Sequence, residues 1–270
     1  MKTFNKVFTV LVFIFLYVPM LVLTVASFNK GMDVAVWKGF TFDQYAALFQ
    51  DGVLLPLLLN SLIVAVVSSL VATVLGTMAA LGIHSMSGRM RRLTMAITNI
   101  PMTNPEIVTG VSLALLFAFA GQMMKLKSVL GFTTLLIAHI TFNLPYVILN
   151  VMPKLKQMDA SLTDAAMDLG CTPWQAFFRV TLHEIMPGVV SGAIMAFTMS
   201  LDDFVISYFV TGLDFVTLPV EIYSYTKKPI QPKIYAMFTL LFLLIFVLMT
   251  AMNLMQVVAD RKKIADRKGH

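Results

Sequence analysis

The chain has 270 residues, 58% hydrophobic and 13% charged, with a mean hydropathy of +0.83. Soluble domains carry about 25% charged residues, so this composition excludes a water-soluble enzyme and leaves a polytopic membrane protein. The net charge of +6 and pI near 9.4 point to basic loops on one membrane face rather than to nucleic acid, and no nucleic-acid partner is expected.

Six apolar stretches are long enough to cross a bilayer, at residues 7–28, 57–84, 93–120, 129–151, 186–211 and 234–259. They define an all-α helix bundle, a single transmembrane domain over 1–270. The first follows Lys2 and Lys6 but is longer than a signal-peptide core and lacks a small-x-small cleavage site, so it reads as an uncleaved span. The loop after it holds Thr41 and Gln44 at capping-box spacing, then an apolar stripe of Phe42, Tyr45, Leu48 and Phe49. A short helix at the outer interface is expected there, with Trp37 and Phe40 as belt residues.

The second span is rich in small and hydroxyl residues, Ser61, Ser68, Ser69, Thr73, Gly76, Thr77 and Ala80, which favour close helix packing in lipid. Arg89, Arg91 and Arg92 form a basic turn. The third span is interrupted by the polar run from Thr98 to Glu106, with Pro101 and Pro105. Such backbone is tolerated at membrane depth only where protein buries it or a cavity adjoins it. Lys125 and Lys127 follow in an outer loop. The fourth span contains His139, read as packed or hydrogen-bonded within the bundle, and Phe142 and Tyr146, whose rings serve packing or offer π-faces to a cation. After the fifth span an outer loop carries Tyr223, Tyr225, Lys227 and Lys228. The tail after the sixth is basic: Arg261, Lys262, Lys263, Arg267 and Lys268.

Six spans put both termini on one side, together with 13 of the 20 Lys and Arg residues. The positive-inside rule makes that side the cytoplasm. The lone Cys171 excludes an internal disulfide, and the four histidines lack partners at ligand spacing, so no metal site is expected.

Residues 159–183 are the one long stretch suited to a soluble partner. Ser161 and Asp164 have capping-box spacing for a short helix that Gly170 would end in a left-handed turn. Thr172, Pro173 and Gln175 then restart a helix bearing Trp174, Phe177, Phe178 and Leu182 on one face. Two readings follow from these residues, an amphipathic loop lying on the membrane or a docking surface for another protein.

Three acids fall inside the spans, Glu106, Asp202 and Asp203, with no Lys or Arg at comparable depth. Each costs about 2.5–3.5 kcal/mol at mid-membrane on insertion scales, which suggests that a cation arrives from elsewhere. Gly192, Ala196, Ser200, Asp203, Ser207 and Thr211 draw one small, polar stripe along a helix, so Asp203 is expected to face a pathway. Asp202 lies about 100° around the helix from it. Glu106 either caps the restarted half of span three or joins the pathway.

Asp164-Ala165-Ala166, Gly170, Val180 and Leu182 resemble the Glu-Ala-Ala loop of ABC-importer permeases, with Asp164 replacing the glutamate and His183 replacing the usual proline. The run from Ala196 to Ser207, including Leu201-Asp202-Asp203, resembles the spermidine/putrescine branch, as does Ala138-His139-Ile140-Thr141-Phe142. The resemblance covers nearly the whole chain. It implies a type I importer permease (MetI-like) fold in the bacterial inner membrane. The implied partners are two copies of a cytoplasmic ATPase, a second homologous permease and an extracytoplasmic polyamine-binding protein, with lipid around the bundle. Asp164, Ala165, Ala166 and Gly170 would contact the ATPase; Asp203, Asp202, Glu106, Tyr146 and Phe142 would form the cation pathway. The chain has no Walker glycine–lysine loop, so it is expected to be non-catalytic and without cofactor, with ATP and Mg held by the ATPase. The alternatives are the same importer class for another small solute, or an ion-coupled secondary carrier using the same acids.

Overall fold

The computed structural model describes residues 2–31, 36–125, 129–159, 161–225 and 231–268. Lys127, Lys227 and Lys228 lie outside the described residues, as do the side chains of Lys2 and of the basic tail from Arg261 onward. The architecture is all-α. Six helical segments are long and apolar enough to cross a membrane: Phe4–Ser27, Leu54–Ser85, Glu106–Met123, Phe132–Gln157, Pro173–Asp202 and Pro232–Thr250. Where a single domain over 1–270 is expected, the chain divides into two compact units, residues 1–56 with 223–270, and residues 57–222.

The first unit holds α1 (Lys2–Ser27), the short α2 (Asp43–Phe49) and, from the far end of the chain, α12 (Pro232–Lys268). Nearly all of α1 is exposed apolar surface, as suits a helix whose solvent is lipid. The loop after it is tied by Asn29, whose side-chain oxygen accepts the Gly31 and Lys38 N–H groups at 3.1 and 2.9 Å. Phe28 stacks on Phe40 at 5.2 Å, and the Tyr45 hydroxyl meets the Ser27 hydroxyl at 2.7 Å. Thr41 and Gln44 do not form the expected capping box. Thr41 Oγ1 accepts the Asp43 N–H, and the Gln44 amide reaches back to the Asn29 carbonyl instead. Asp51 accepts the Val53 and Leu54 N–H groups and pairs with Lys233 at 2.7 Å. This pairing holds its carboxyl at about 2, below its ordinary 3.8.

The second unit continues through the rest of α3 (Leu54–Ser85), α4 (Gly88–Thr103), α5 (Glu106–Met123), α6 (Phe132–Gln157), α7 (Ser161–Asp168), α8 (Pro173–Ala176), α9 (Leu182–Asp202), α10 (Val205–Val210) and most of α11 (Leu218–Tyr225). The span expected over 93–120 is two helices. Asn104 has ψ 137° and Pro105 ψ 132°, because a proline excludes the helical region for the residue before it and cannot donate to the ladder. The apolar crossing therefore begins at Glu106. Glu106 is the first residue of α5, not the third, so the capping alternative is not realised.

The centre of this unit is α6, whose face from Thr134 to Leu155 is buried. Small residues let its neighbours approach to backbone distance, as lipid-embedded packing requires. Val147 is wedged between Gly76 of α3 and Gly192 of α9, and Gly188 lies on the α6 backbone. Around this seam Ala72, Ala80, Val151, Ile185 and Ala196 form one core cluster. Hydroxyls stitch the elements: Ser68 to Ser200 at 2.8 Å, Thr134 to the Val210 carbonyl at 3.0 Å, and the Leu218 N–H to Ser61 at 2.7 Å.

A Cβ at Gly188 would lie 2.8 Å from the Asn150 carbonyl, whereas one at Gly82 meets nothing within 4 Å. Gly188→Ala should cost about 1–3 kcal/mol through overpacking and lower the thermal midpoint of the purified protein; Gly82→Ala should leave it unchanged or raise it. Because the folded Asp51 carboxyl titrates below its unfolded value, the Asp51–Lys233 contribution is complete above 3.8 and is lost as pH falls towards about 2. A pH series of thermal midpoints should show Asp51→Asn with a shallower slope than the parent in that window.

Candidate functional site

The elbow expected at 159–183 is built from two helices and a tight reversal. α7 is capped by Asp159, whose Oδ1 accepts the Ser161 N–H at 3.0 Å, and not by Ser161 with Asp164. That contact, with the Ser161 hydroxyl, draws the Asp159 carboxyl below its ordinary pKa. At the other end the Gly170 N–H reaches the Met167 carbonyl and the Cys171 N–H the Ala166 carbonyl, at 2.9 and 3.1 Å. This pattern is a Schellman termination, and Gly170 supplies its positive φ of 89°. Thr172 and Gln175 then make the expected reciprocal box. Asp164, Ala165 and Gly170 are exposed and Ala166 half-buried. Leu169, Trp174 and Phe178 add exposed apolar surface, 87%, 74% and 59% accessible.

Beyond α8 the chain does not break. A single π-helical turn, Phe177–Thr181, joins it to α9, a common form of insertion inside helices at functional sites. Proline at 183 would lack the N–H that continues the ladder; His183 has one. The apolar segment Pro173–Asp202 is thus one shaft of 30 residues, about 45 Å long. The fifth span, expected over 186–211, begins at the elbow and ends earlier, at Asp202.

At Asp203 the backbone turns extended, ψ 120°, and α10 starts two residues on. The stripe drawn from Gly192 to Thr211 is therefore not one helix face. Gly192, Ala196 and Ser200 are buried against α6, and Asp203 is also buried, 8% exposed, instead of facing a pathway. Its Oδ1 accepts the Ile206 N–H at 3.2 Å, and its Oδ2 accepts the Ser207 N–H and hydroxyl, both at 2.8 Å. His139 Nε2 lies 2.9 Å from Ser207 Oγ and 3.5 Å from Asp203 Oδ2. Its Nδ1 lies against Ser200 Oγ, which also meets Ser68. His139 is hydrogen-bonded within the bundle, and it draws α3, α6, α9 and α10 onto one polar node. A histidine four helical turns from any charged residue of its own span gave no sequence signal for these contacts.

Asp202 is exposed at the end of the shaft. α10 packs against α5 at Gly110, where a Cβ would lie 3.0 Å from Phe209 and 3.3 Å from the Ile206 Cα. This packing sets Glu106, one turn from Gly110, within Coulomb range of both Asp202 and Tyr146. Neither Glu106 nor Asp202 has a Lys or Arg partner among the described residues. Tyr146 is half-buried and meets Phe142 edge-on at 5.4 Å; Phe142 is core, packed with Leu135, Ala138 and Ile206. Of the five residues expected on the pathway, Glu106 and Asp202 are exposed and Tyr146 is half-buried, with Glu106 near enough to each of the other two for electrostatic interaction; Asp203 and Phe142 are buried.

Residues 72–264 match the family model described as binding-protein-dependent transport system inner membrane component. The chain is 39% identical over 232 residues to the putrescine transport system permease protein PotI of Escherichia coli K12, covering 85% of this chain and 82% of that protein. It is 35% identical over 256 residues to the spermidine/putrescine transport system permease protein PotC of the same strain, covering 95% and 94%. In fold it is similar to a chain of a bacterial ABC transporter involved in the import of alginate, with TM-score 0.74, 15% identity and 94% of each chain covered. A second such structure, the alginate transporter in complex with a periplasmic protein bound to an alginate pentasaccharide, gives TM-score 0.71 and 16% identity, covering 97% of this chain and 94% of that one. The elbow, the broken membrane helices and these likenesses agree: the chain belongs to the inner-membrane permease family of binding-protein-dependent transport systems.

Proposed function

We propose that this chain is one permease half of an ATP-driven importer that moves polyamines, small polycations of the putrescine and spermidine kind. The carrying observation is the exposed pair Glu106 and Asp202, whose carboxyls interact and have no Lys or Arg partner among the described residues, with Tyr146 near Glu106. Carboxylates in a low-dielectric setting attract a polycation more strongly than they would in water, and an aromatic face adds cation–π attraction. Relatives named for putrescine and spermidine/putrescine support the same cargo.

A second permease would complete the cavity, and two copies of a cytoplasmic ATPase would bind ATP and Mg and engage the elbow of each permease. An extracytoplasmic binding protein would deliver the cargo. In this reading both termini and the elbow are cytoplasmic. Asp164, Ala165 and Ala166 dock in the ATPase, with Gly170 fixing the reversal. The small side chains permit close backbone approach. When the ATPase pair closes, it moves the elbow, and the shaft carries that movement to Asp202. The acidic site then changes the side from which it is reached.

In the reconstituted transporter, Asp202→Asn and Glu106→Gln should each raise the KM for putrescine and spermidine uptake about tenfold, the equivalent of 1.4 kcal/mol, with little change for a neutral solute's leak. Polyamine uptake with an unaltered KM in both variants removes the acidic pair from the pathway. At the elbow, Asp164→Arg and Gly170→Val should leave membrane insertion intact but reduce co-purification of the ATPase and its cargo-stimulated hydrolysis; Gly170→Val adds about 1–2 kcal/mol of left-handed strain. Full stimulation in both would place the docking surface elsewhere.

A further inference from the structure

We propose that His139, as the neutral Nε2–H tautomer, is a positioning residue for transport: it holds the Asp203 cap that fixes the helix break and thereby aims Asp202. This deepens the reading above and rests on it for the role of Asp202.

The tautomer follows from donor arithmetic. An ionised carboxylate only accepts, so the Ser207 hydroxyl spends its one proton on Asp203 Oδ2, at 2.8 Å. Ser207 Oγ can then only accept from His139 Nε2, 2.9 Å away, which places a proton on Nε2. Nδ1 of a neutral imidazole is left as an acceptor, and the Ser200 hydroxyl donates to it. With its proton so used, Ser200 Oγ accepts from Ser68. With the Ser68 hydroxyl on Ser200 at 2.8 Å in preference to the Ala65 carbonyl at 3.4 Å, the relay runs one way, from Ser68 of α3 through Ser200 of α9 and His139 of α6 to Ser207 of α10 and Asp203. Aligned bonds of this kind polarise one another in a low-dielectric interior.

Asp203 is thus spent internally. Its oxygens satisfy the Ile206 and Ser207 N–H groups that the break leaves without helical partners. Unsatisfied, those groups would be costly at membrane depth. The direction of α10, and its packing on α5 beside Glu106, depends on that cap. Asp202, next in the chain and exposed, is the acid left for cargo.

Asn and Gln separate the two ring nitrogens: His139→Gln can replace the Nε2 donor, and His139→Asn only the Nδ1 side. In the reconstituted complex, His139→Asn and Asp203→Asn should lower the maximal rate of putrescine uptake about tenfold with KM within about twofold, the pattern of lost positioning and not lost cargo contact. His139→Gln should recover most of that rate. A raised KM with unchanged maximal rate in Asp203→Asn would put Asp203 on the cargo and overturn the assignment, as would equal loss in Gln and Asn. Two readouts need no cargo. Nitrogen NMR of the labelled wild-type complex should show His139 protonated at Nε2 alone; a proton on Nδ1 defeats the proposal. Labelling of Asp202→Cys, in a Cys171→Ser background, by a charged thiol reagent should change severalfold when His139→Asn is added. An unchanged rate means that His139 does not aim residue 202. Should the cargo be another solute, both cargo-free results stand as predicted while putrescine uptake is absent.

Discussion

Inside a bilayer no water completes a broken backbone ladder, and the second unit of this protein is arranged around that constraint. It breaks helices in two places, at Asn104–Pro105 and at Asp203–Phe204. The first break is forced by the proline ring. The second has no proline; Asp203 makes it possible by offering its carboxylate to the N–H groups of the helix that follows. The same constraint explains why an acid can be buried here without a formal cationic partner. Its oxygens accept two backbone N–H groups and a hydroxyl.

The two breaks converge because α10 lies in the groove that Gly110 leaves on α5. One exposed acid flanks each break, Glu106 and Asp202, and the two interact with each other, Glu106 also with Tyr146. Broken membrane helices whose irregular backbone adjoins a binding site recur among transporters. Here the exposed chemistry comes from side chains flanking the breaks, while the backbone at the second break is closed off by its own cap.

At the opposite end of the shaft, the coupling proposed for the elbow sets a mechanical requirement. A loop absorbs displacement as bending; a helix transmits it. The π-turn at Phe177–Thr181 keeps the elbow's second arm continuous with α9, which runs on through Pro187. α9 in turn is held by small residues at backbone distance from α6, so that movement of the shaft is shared with the centre of the bundle. The Schellman turn at Gly170 makes the first arm a defined shape and not a flexible tether.

Much of this was settled by composition and local pattern. Apolar runs of about 20 residues declare membrane helices whatever their neighbours, and Thr172-Pro173-x-Gln175 with Gly170 specifies the elbow's reversal through backbone chemistry contained within a few residues. Pro105 marks its break for the same reason. What local pattern could not decide was which acid faces outward. The spacing of Ser200, Asp203 and Ser207 suits a continuous helix, and continuity assigns Asp203 to the stripe. The helix stops instead because a histidine 64 residues earlier in the chain and a serine on α3 complete a polar node only when four helices are packed together. Capping of this break depends on partners distant in sequence, so only the tertiary structure decided that Asp202 is exposed and Asp203 buried.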